Sequence, residues 1–329
     1  RGLGDVYKRQ GVTAEEVKGI LLGMASGQET LLGYFRRFIR NFEKRVGINR
    51  TVGSLRAYSN AYSHIERFLQ AQYKLSDIPF SALDRSFIDK YDLYLRTERN
   101  LAPGTIINLT VQLKTIVGEA IADGIITASP FMGYEPVRPK HVQKYLTAEE
   151  LHRIMTTPLH RQTLYHVRDM FLFSCFTGIP YGDMRLLTKD NLCLAEDGIW
   201  WIKSARQKTK IEFEIPLLDL PLQILKKYSG TAPGDKLLPM YCNSTLNLYL
   251  KEIARICHID RPLVFHAGRH TYATEITLSH GVPLETVSRM LGHSQIETTQ
   301  IYAKVTDEKI DADTKALNRK ISERFSVVI

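Results

Sequence analysis

Three short runs within residues 264–303 decide the reading: Val264-Phe265-His266-Ala267-Gly268-Arg269-His270-Thr271, then Met290-Leu291-Gly292-His293-Ser294, then Thr298-Thr299-Gln300-Ile301-Tyr302-Ala303. Gly292 reads as the stop of a helix that starts near Pro283, which puts His293 in a tight turn. Ser294 with Glu297 reads as a capping box for a next helix, with Tyr302 on it about two turns beyond His293. His266 and Arg269 are three apart and share a face if helical. An arginine offers a planar fork of donors that suits a phosphate. Imidazoles donate hydrogen bonds or move protons near neutral pH. A tyrosine hydroxyl becomes a nucleophile when a neighbouring cation lowers its pKa. The set therefore points to phosphoryl transfer through a covalent tyrosine intermediate. The sequence shows no carboxylate cluster to hold Mg²⁺, so the expected chemistry needs no metal and no cofactor.

Working outward, helical spacing of apolar residues predicts helices over 29–46, 54–73, 84–98 and 103–124, the last opened by Pro103 and closed by Gly124. Thr13 with Glu16 predicts a shorter helix to about Leu22. Arg36, Arg37, Arg40, Lys44, Arg45, Arg50 and Arg56 are threaded along these helices; a solvated face and a phosphate-contacting face explain them equally well. Residues 126–146, with Pro130, Pro136, Pro139, Arg138, Lys140 and Lys144, read as an extended basic linker. Thr147 with Glu150 caps a second domain, with helices near 148–156 and 163–176. Ile199 to Ile202, and Ile211, Phe213 and Ile215 alternating with Glu212 and Glu214, predict two strands of a small antiparallel sheet. Residues 1–28 are read as a remnant or linker, with 1–10 set aside as foreign to the fold.

Composition bounds the function. The chain has 329 residues, 44% hydrophobic and 24% charged, which excludes disordered, collagenous and coiled-coil classes. No apolar run nears the ~20 residues that span a bilayer, so no membrane partner is expected and a cytoplasmic, nucleoid-associated location is. Cys175, Cys193, Cys242 and Cys257 show neither CxxC nor zinc spacing and read as free thiols. The formal charge is +9, with 20 basic and 14 acidic residues in 1–140, so the excess is concentrated in the N-terminal part and hints at a polyanionic partner.

The pattern HxxRH, then LGH, then a tyrosine nine residues on, resembles the tyrosine recombinase (phage integrase) family, and in its apolar-aromatic flavour the integrases of Bacteroidetes mobile elements. Thr147-Ala148-Glu149-Glu150-Leu151 is similar to the family's entry into its catalytic domain, and Phe176-Thr177-Gly178 to its first box. The resemblance implies a mainly α fold with a small antiparallel sheet. A SAM-like DNA-binding bundle would span 29–125 and a mixed α+β catalytic domain with a tail 147–329. It implies Tyr302 as nucleophile and Arg269, His266 and His293 around the scissile phosphate. Lys208, between the two predicted strands, matches the lysine that protonates the leaving 5′-oxygen. The DNA-binding set would be Arg36, Arg37, Arg40, Arg56 and Lys140. The first box usually reads Thr-Gly-x-Arg; here Pro180 stands at the arginine's place, while Asp183 matches the box's supporting acid.

The implied function is site-specific recombination of double-stranded DNA through a 3′-phosphotyrosine, serving mobile-element integration and excision. The two domains would clamp the duplex. Partners would be a homotetramer on DNA, monomeric off it, and accessory DNA-bending proteins. The tail residues Ile310, Leu317, Ile321 and Phe325 to Ile329 would dock on a neighbouring protomer or on their own domain. Type IB topoisomerase-like relaxation is one alternative. A catalytically weak DNA-binding relative is the other, because of Pro180. Arg206 is the first candidate to replace the missing arginine: on a strand, i and i+2 share a face, so it would lie one pleat from Lys208. Arg185 is the second, and Arg168, on an apolar helix, is less able to reach.

Overall fold

The computed structural model describes residues 28–138 and 144–302, and beyond them Lys18, residues 314–315 and 317–319, and Ile321. The expected helix at 13–22, Lys140, Ile310 and the segment from Phe325 to Ile329 lie outside the described residues. The chain divides into two compact units, 1–141 and 142–329.

In the first unit the helical periodicity becomes α1 (Leu31–Glu43), α2 (Val52–Phe68), α3 (Arg85–Thr97) and α4 (Pro103–Ala122), with a π turn at Leu69–Tyr73 after α2. Pro103 opens α4 where its missing N–H costs nothing. Asp84 caps α3 by accepting from Phe87 N at 2.7 Å. The apolar faces meet in a core centred on Phe35, Phe68, Tyr91, Leu113 and Ile116. Phe131 is buried in that core, and Tyr134 donates to Asp92 Oδ1 at 2.7 Å. The bundle thus reaches past the expected boundary at 125. The start of the expected linker is packed structure, because an aromatic pair there has an apolar surface to cover.

The second unit opens on α5 (Ala148–Thr156) and continues through α6 (Gln162–Thr177) and α7 (Tyr181–Met184). Then come the strands β1 (Leu192–Leu194), β2 (Trp200–Ala205) and β3 (Glu212–Pro216), in the order β1-β2-β3, all antiparallel. The sheet has one strand more than the sequence predicts: β1 is three residues long, too short to show a period. The unit closes with α8 (Asp219–Lys227), α9 (Asn243–Ile256), α10 (Ala267–Thr271) running into a π segment Tyr272–Thr277, α11 (Leu284–Leu291) and α12 (Glu297–Gln300). α6 is the buried axis, with Val167, Met170, Phe171, Phe173 and Cys175 all fully enclosed. Among the described residues no helix is long and apolar enough to cross a membrane. The fold is mainly α with a small antiparallel sheet.

The Thr147 capping box forms in both directions: Glu150 N donates to Thr147 Oγ1 at 3.2 Å and Thr147 N donates to Glu150 Oε2 at 3.0 Å. Thr147→Ala is expected to lower stability in urea by about 1 kcal/mol, and Thr147→Ser to retain most of it. Equal unfolding midpoints for all three chains would contradict the cap's contribution.

Candidate active site

Two backbone devices set the frame. α6 ends on Gly178 and α11 on Gly292, both left-handed with φ of +70° and +64°. At the second, Gly292 N donates to Arg289 O at 2.9 Å and His293 N to Ser288 O at 3.1 Å, the paired bonds of a Schellman stop. A Cβ on Gly292 would lie 2.8 Å from Arg206 Cγ, so the glycine also makes room for that side chain. The Leu291 carbonyl, left without a helical partner, points into the space between.

Arg269, on α10, fills that space and is 3% exposed. Its Nη1 donates to Gly178 O at 2.9 Å and its Nη2 to Leu291 O at 2.7 Å. The same Nη2 lies 2.8 Å from His293 Nε2, and His293 Nδ1 lies 2.7 Å from Thr299 Oγ1. Tyr302 is buried, stacked parallel to His293 at 6.3 Å between ring centroids and edge-on to His270 at 5.2 Å. His266 meets His270 edge-on at 4.9 Å. Asn247, on α9, accepts from Phe265 N at 2.7 Å and so fixes the turn that presents His266. Tyr302, Arg269, His266 and His293 therefore converge.

Tyr302 is not on a helix, as the sequence suggests, but in the turn after α12. The expected Ser294–Glu297 capping box is not made: Ile296 takes the N-cap place and no side chain caps it. α12 is a single turn, pinned from within by the Thr299 hydroxyl on His293.

Pro180 precedes α7 and lines a cavity of about 230 Å³ with Tyr181, Asn243, Asn247, Val264 and His266. Arg206 stands elsewhere in the pocket. Its Nη1 donates to Leu291 O at 3.1 Å, the oxygen that Arg269 also uses. Its Nε is 2.8 Å from Asp183 Oδ2, a close ion pair although the N–H does not point along the line to the oxygen. Asp183, 6% exposed, also accepts from Gln207 N at 2.8 Å. The shared-pleat argument for Arg206 and Lys208 fails. β2 ends at Ala205, and Gln207, Lys208 and Thr209 form the hairpin turn. Arg206 turns inward to Asp183, whereas Lys208 stands exposed at the tip. Arg185 is exposed at the end of α7. Arg168 is engaged away from these groups, over the Tyr165 ring and on Thr157 O.

The electrostatics follow from packing cations together. Burial and the charge of Arg206 lower Arg269 to about 10, partly offset by the Tyr302 hydroxyl and Asp183. Burial, with Arg269 and Arg206 beside it, lowers His293 to about 4. Burial and then His266, Lys144 and Arg269 lower His270 to about 4. His266 is shifted down by crowding of its ring and by Arg269, Arg206 and Lys144, although part of it stays open to solvent. All three imidazoles are thus neutral at pH 7.

In the first unit Arg36, Arg37, Arg40 and Arg56 are exposed. Arg36 donates to the Tyr62 hydroxyl at 2.6 Å, and Arg37 pairs with Glu29 at 2.9 Å and covers the Tyr34 ring. Sequence reasoning missed Thr299 and the carbonyls of Gly178 and Leu291. A lone threonine carries no signal, and a carbonyl's role appears only once the helix ends are placed.

The sequence pattern of the phage integrase family matches residues 144–309, and that of the phage integrase SAM-like domain matches 30–136. The tyrosine recombinase XerD of Listeria monocytogenes is 25% identical over 273 residues, covering 78% of this chain and 89% of its own. The XerD of Staphylococcus saprophyticus is 26% identical over 297 residues, covering 86% and 96%. Among solved structures, the Tn1549 transposon integrase in complex with transposon right end DNA superposes with a TM-score of 0.68 at 19% identity, covering 88% of this chain and 99% of that one. A lambda integrase dimer bound to a core site gives 0.68 at 18% identity, covering 85% and 100%. These relatives support the family as a whole and do not bear on the narrower Bacteroidetes resemblance. A family pattern over just over half of the chain, a second over the bundle and the tyrosine-centred pocket agree: the chain belongs to the phage integrase family.

Proposed function

We propose that this chain is a site-specific DNA recombinase that cuts and rejoins double-stranded DNA through Tyr302. The observation that carries this is the burial of Tyr302 beside Arg269, with Arg206 and Arg269 drawn onto one carbonyl. Two adjacent guanidiniums with Asp183 balancing one of them leave a positive pocket beside a hydroxyl, which suits a phosphodiester. The Tyr302 oxygen forms a bond to phosphorus and the bond to the 5′-oxygen breaks. Lys208 supplies the proton to that leaving oxygen. The tyrosine's own proton passes to a neutral imidazole of the pocket or to water. The products are a 3′-phosphotyrosine and a 5′-hydroxyl, and attack by the 5′-hydroxyl of a partner duplex reverses the step. The bond energy is held in the phosphotyrosine, so no nucleotide triphosphate is consumed. Arg206 takes the place of the first-box arginine that Pro180 replaces, with Asp183 orienting it; Arg185, exposed, is the weaker candidate.

The exposed Arg36, Arg37, Arg40 and Arg56 of the bundle, with Lys140 of the linker, supply phosphate contacts to the duplex. Strand exchange through a junction requires four protomers, as in the lambda integrase tetramer bound to a Holliday junction. Leu317 and Ile321, 56% and 42% exposed, are available to a neighbouring copy. Accessory bending proteins and a bacterial cytoplasmic location belong to the same reading, which serves mobile-element integration and excision.

The test is covalent capture. A pool of labelled nicked duplexes with randomised sequence around the nick is incubated with the full chain, and adducts surviving detergent are sequenced to give the site. Recovery of one sequence class supports a site-specific recombinase. Adducts without sequence preference would point to topoisomerase-like relaxation. No adduct, with binding intact, would make the chain a DNA-binding relative disabled at Pro180.

On the captured duplex, Tyr302→Phe is expected to abolish adduct with binding nearly unchanged, since only the hydroxyl is lost; persistent adduct overturns the assignment. Lys208→Ala is expected to cleave poorly on the natural phosphodiester and to recover on a 5′-bridging phosphorothiolate, whose sulfur leaves without a proton. Failure of that substrate to restore cleavage removes Lys208 as the acid. Arg206→Ala is expected to lose cleavage by roughly 10²–10³-fold with far less change in binding, whereas Arg185→Ala is not. Normal cleavage by Arg206→Ala, or an equal loss of binding and cleavage, rejects the substitution.

A further inference from the structure

His293 has both ring nitrogens engaged, and the two partners differ in kind. Nε2 lies 2.8 Å from Arg269 Nη2. A guanidinium only donates, so Nε2 accepts and carries no proton. The imidazole is neutral, held low by burial and by Arg269 and Arg206, so its single proton sits on Nδ1. Nδ1 faces Thr299 Oγ1 at 2.7 Å, inside a residue with no exposed surface. The other tautomer would set an Nε2–H against a guanidinium N–H and leave Nδ1 to accept from the threonine. Thr299 also holds the nucleophile's main chain: Tyr302 N donates to Thr299 O at 3.0 Å. One residue therefore fixes the histidine with its side chain and the tyrosine with its carbonyl.

We propose that Thr299 is a positioning residue whose hydroxyl accepts from the Nδ1–H of His293 and holds the ring where Nε2 receives Arg269 beside Tyr302. The inference rests on the recombinase reading for its catalytic meaning, though the contact itself does not. His293 then acts as an acceptor that steadies the arginine. Because the Gly178 and Leu291 carbonyls also hold Arg269, losing the Thr299 hydroxyl loosens the guanidinium without freeing it.

The experiment labels the histidines of the full chain with ¹⁵N and reads ring tautomers by two-bond ¹H–¹⁵N correlation, with His293 identified by its loss in His293→Gln. The wild type is expected to show His293 as Nδ1–H. Thr299→Val, which keeps the shape and removes the hydroxyl, is expected to leave Nδ1–H without its acceptor and to shift the His293 ring resonances, and Thr299→Ser to keep them as in the wild type. On the captured duplex, Thr299→Val is expected to cleave roughly 10–100-fold more slowly, the scale of removing a histidine's outer partner, with binding unchanged and Thr299→Ser near normal. An Nε2–H ring in the wild type, unmoved His293 ring resonances in Thr299→Val, or serine as damaging as valine overturns the proposal. If Thr299→Val does not fold, the wild-type and serine tautomers decide it. The expected tautomer in a wild-type chain that forms no adduct would count against the recombinase reading and not against the Thr299 contact.

Discussion

The Leu291 carbonyl is the oxygen on which the pocket turns. A helix must end with unpaired carbonyls, and α11 ends where two guanidiniums need a partner that does not neutralise them. A carboxylate there would pair with the cations and oppose an incoming phosphate. A carbonyl orients them and leaves their charge in place. Burial, and then the charge of Arg206, lower the pKa of Arg269, and Asp183 on α7 partly offsets the repulsion between the two guanidiniums. Gly292 makes the arrangement feasible twice over, by adopting the left-handed stop and by lacking the Cβ that would strike Arg206.

Much of this was legible in the sequence, for reasons that can be named. α4 has strong periodicity between Pro103 and Gly124, and the Thr147 box is a local signal formed by local bonds. The HxxRH and LGH runs are short enough to survive any uncertainty about what joins them. The losses were of another kind. α12 looks like a capped helix because Ser294 and Glu297 stand at the right spacing. The bond between His293 and Thr299, six residues apart, competes with that preference. The strand rule would put Arg206 and Lys208 on one face only if β2 continued past Ala205, where it ends. β1, three residues long, and the buried hydroxyl of Thr299 have no periodic or compositional mark at all.

Arg206 does not share a strand face with Lys208 and is nevertheless beside Arg269. It reaches the pocket because the chain turns inward at the end of β2 and Asp183 receives both its side chain and the next backbone N–H. Asp183 thus anchors a cation that arrives from another element.

That relocation changes how the site responds to movement. With a first-box arginine, one phosphate-binding charge would be held at the start of α7 and only the proton donor would ride on the hairpin. With Arg206 and Lys208 two residues apart on the same hairpin, under the roles proposed for them, charge stabilisation and leaving-group protonation sit on one lever. Lifting that lever breaks the Gln207 and Arg206 contacts to Asp183 together and withdraws both functions at once. A partner that grips the β2–β3 loop would then switch the chemistry as a unit, without touching the tyrosine.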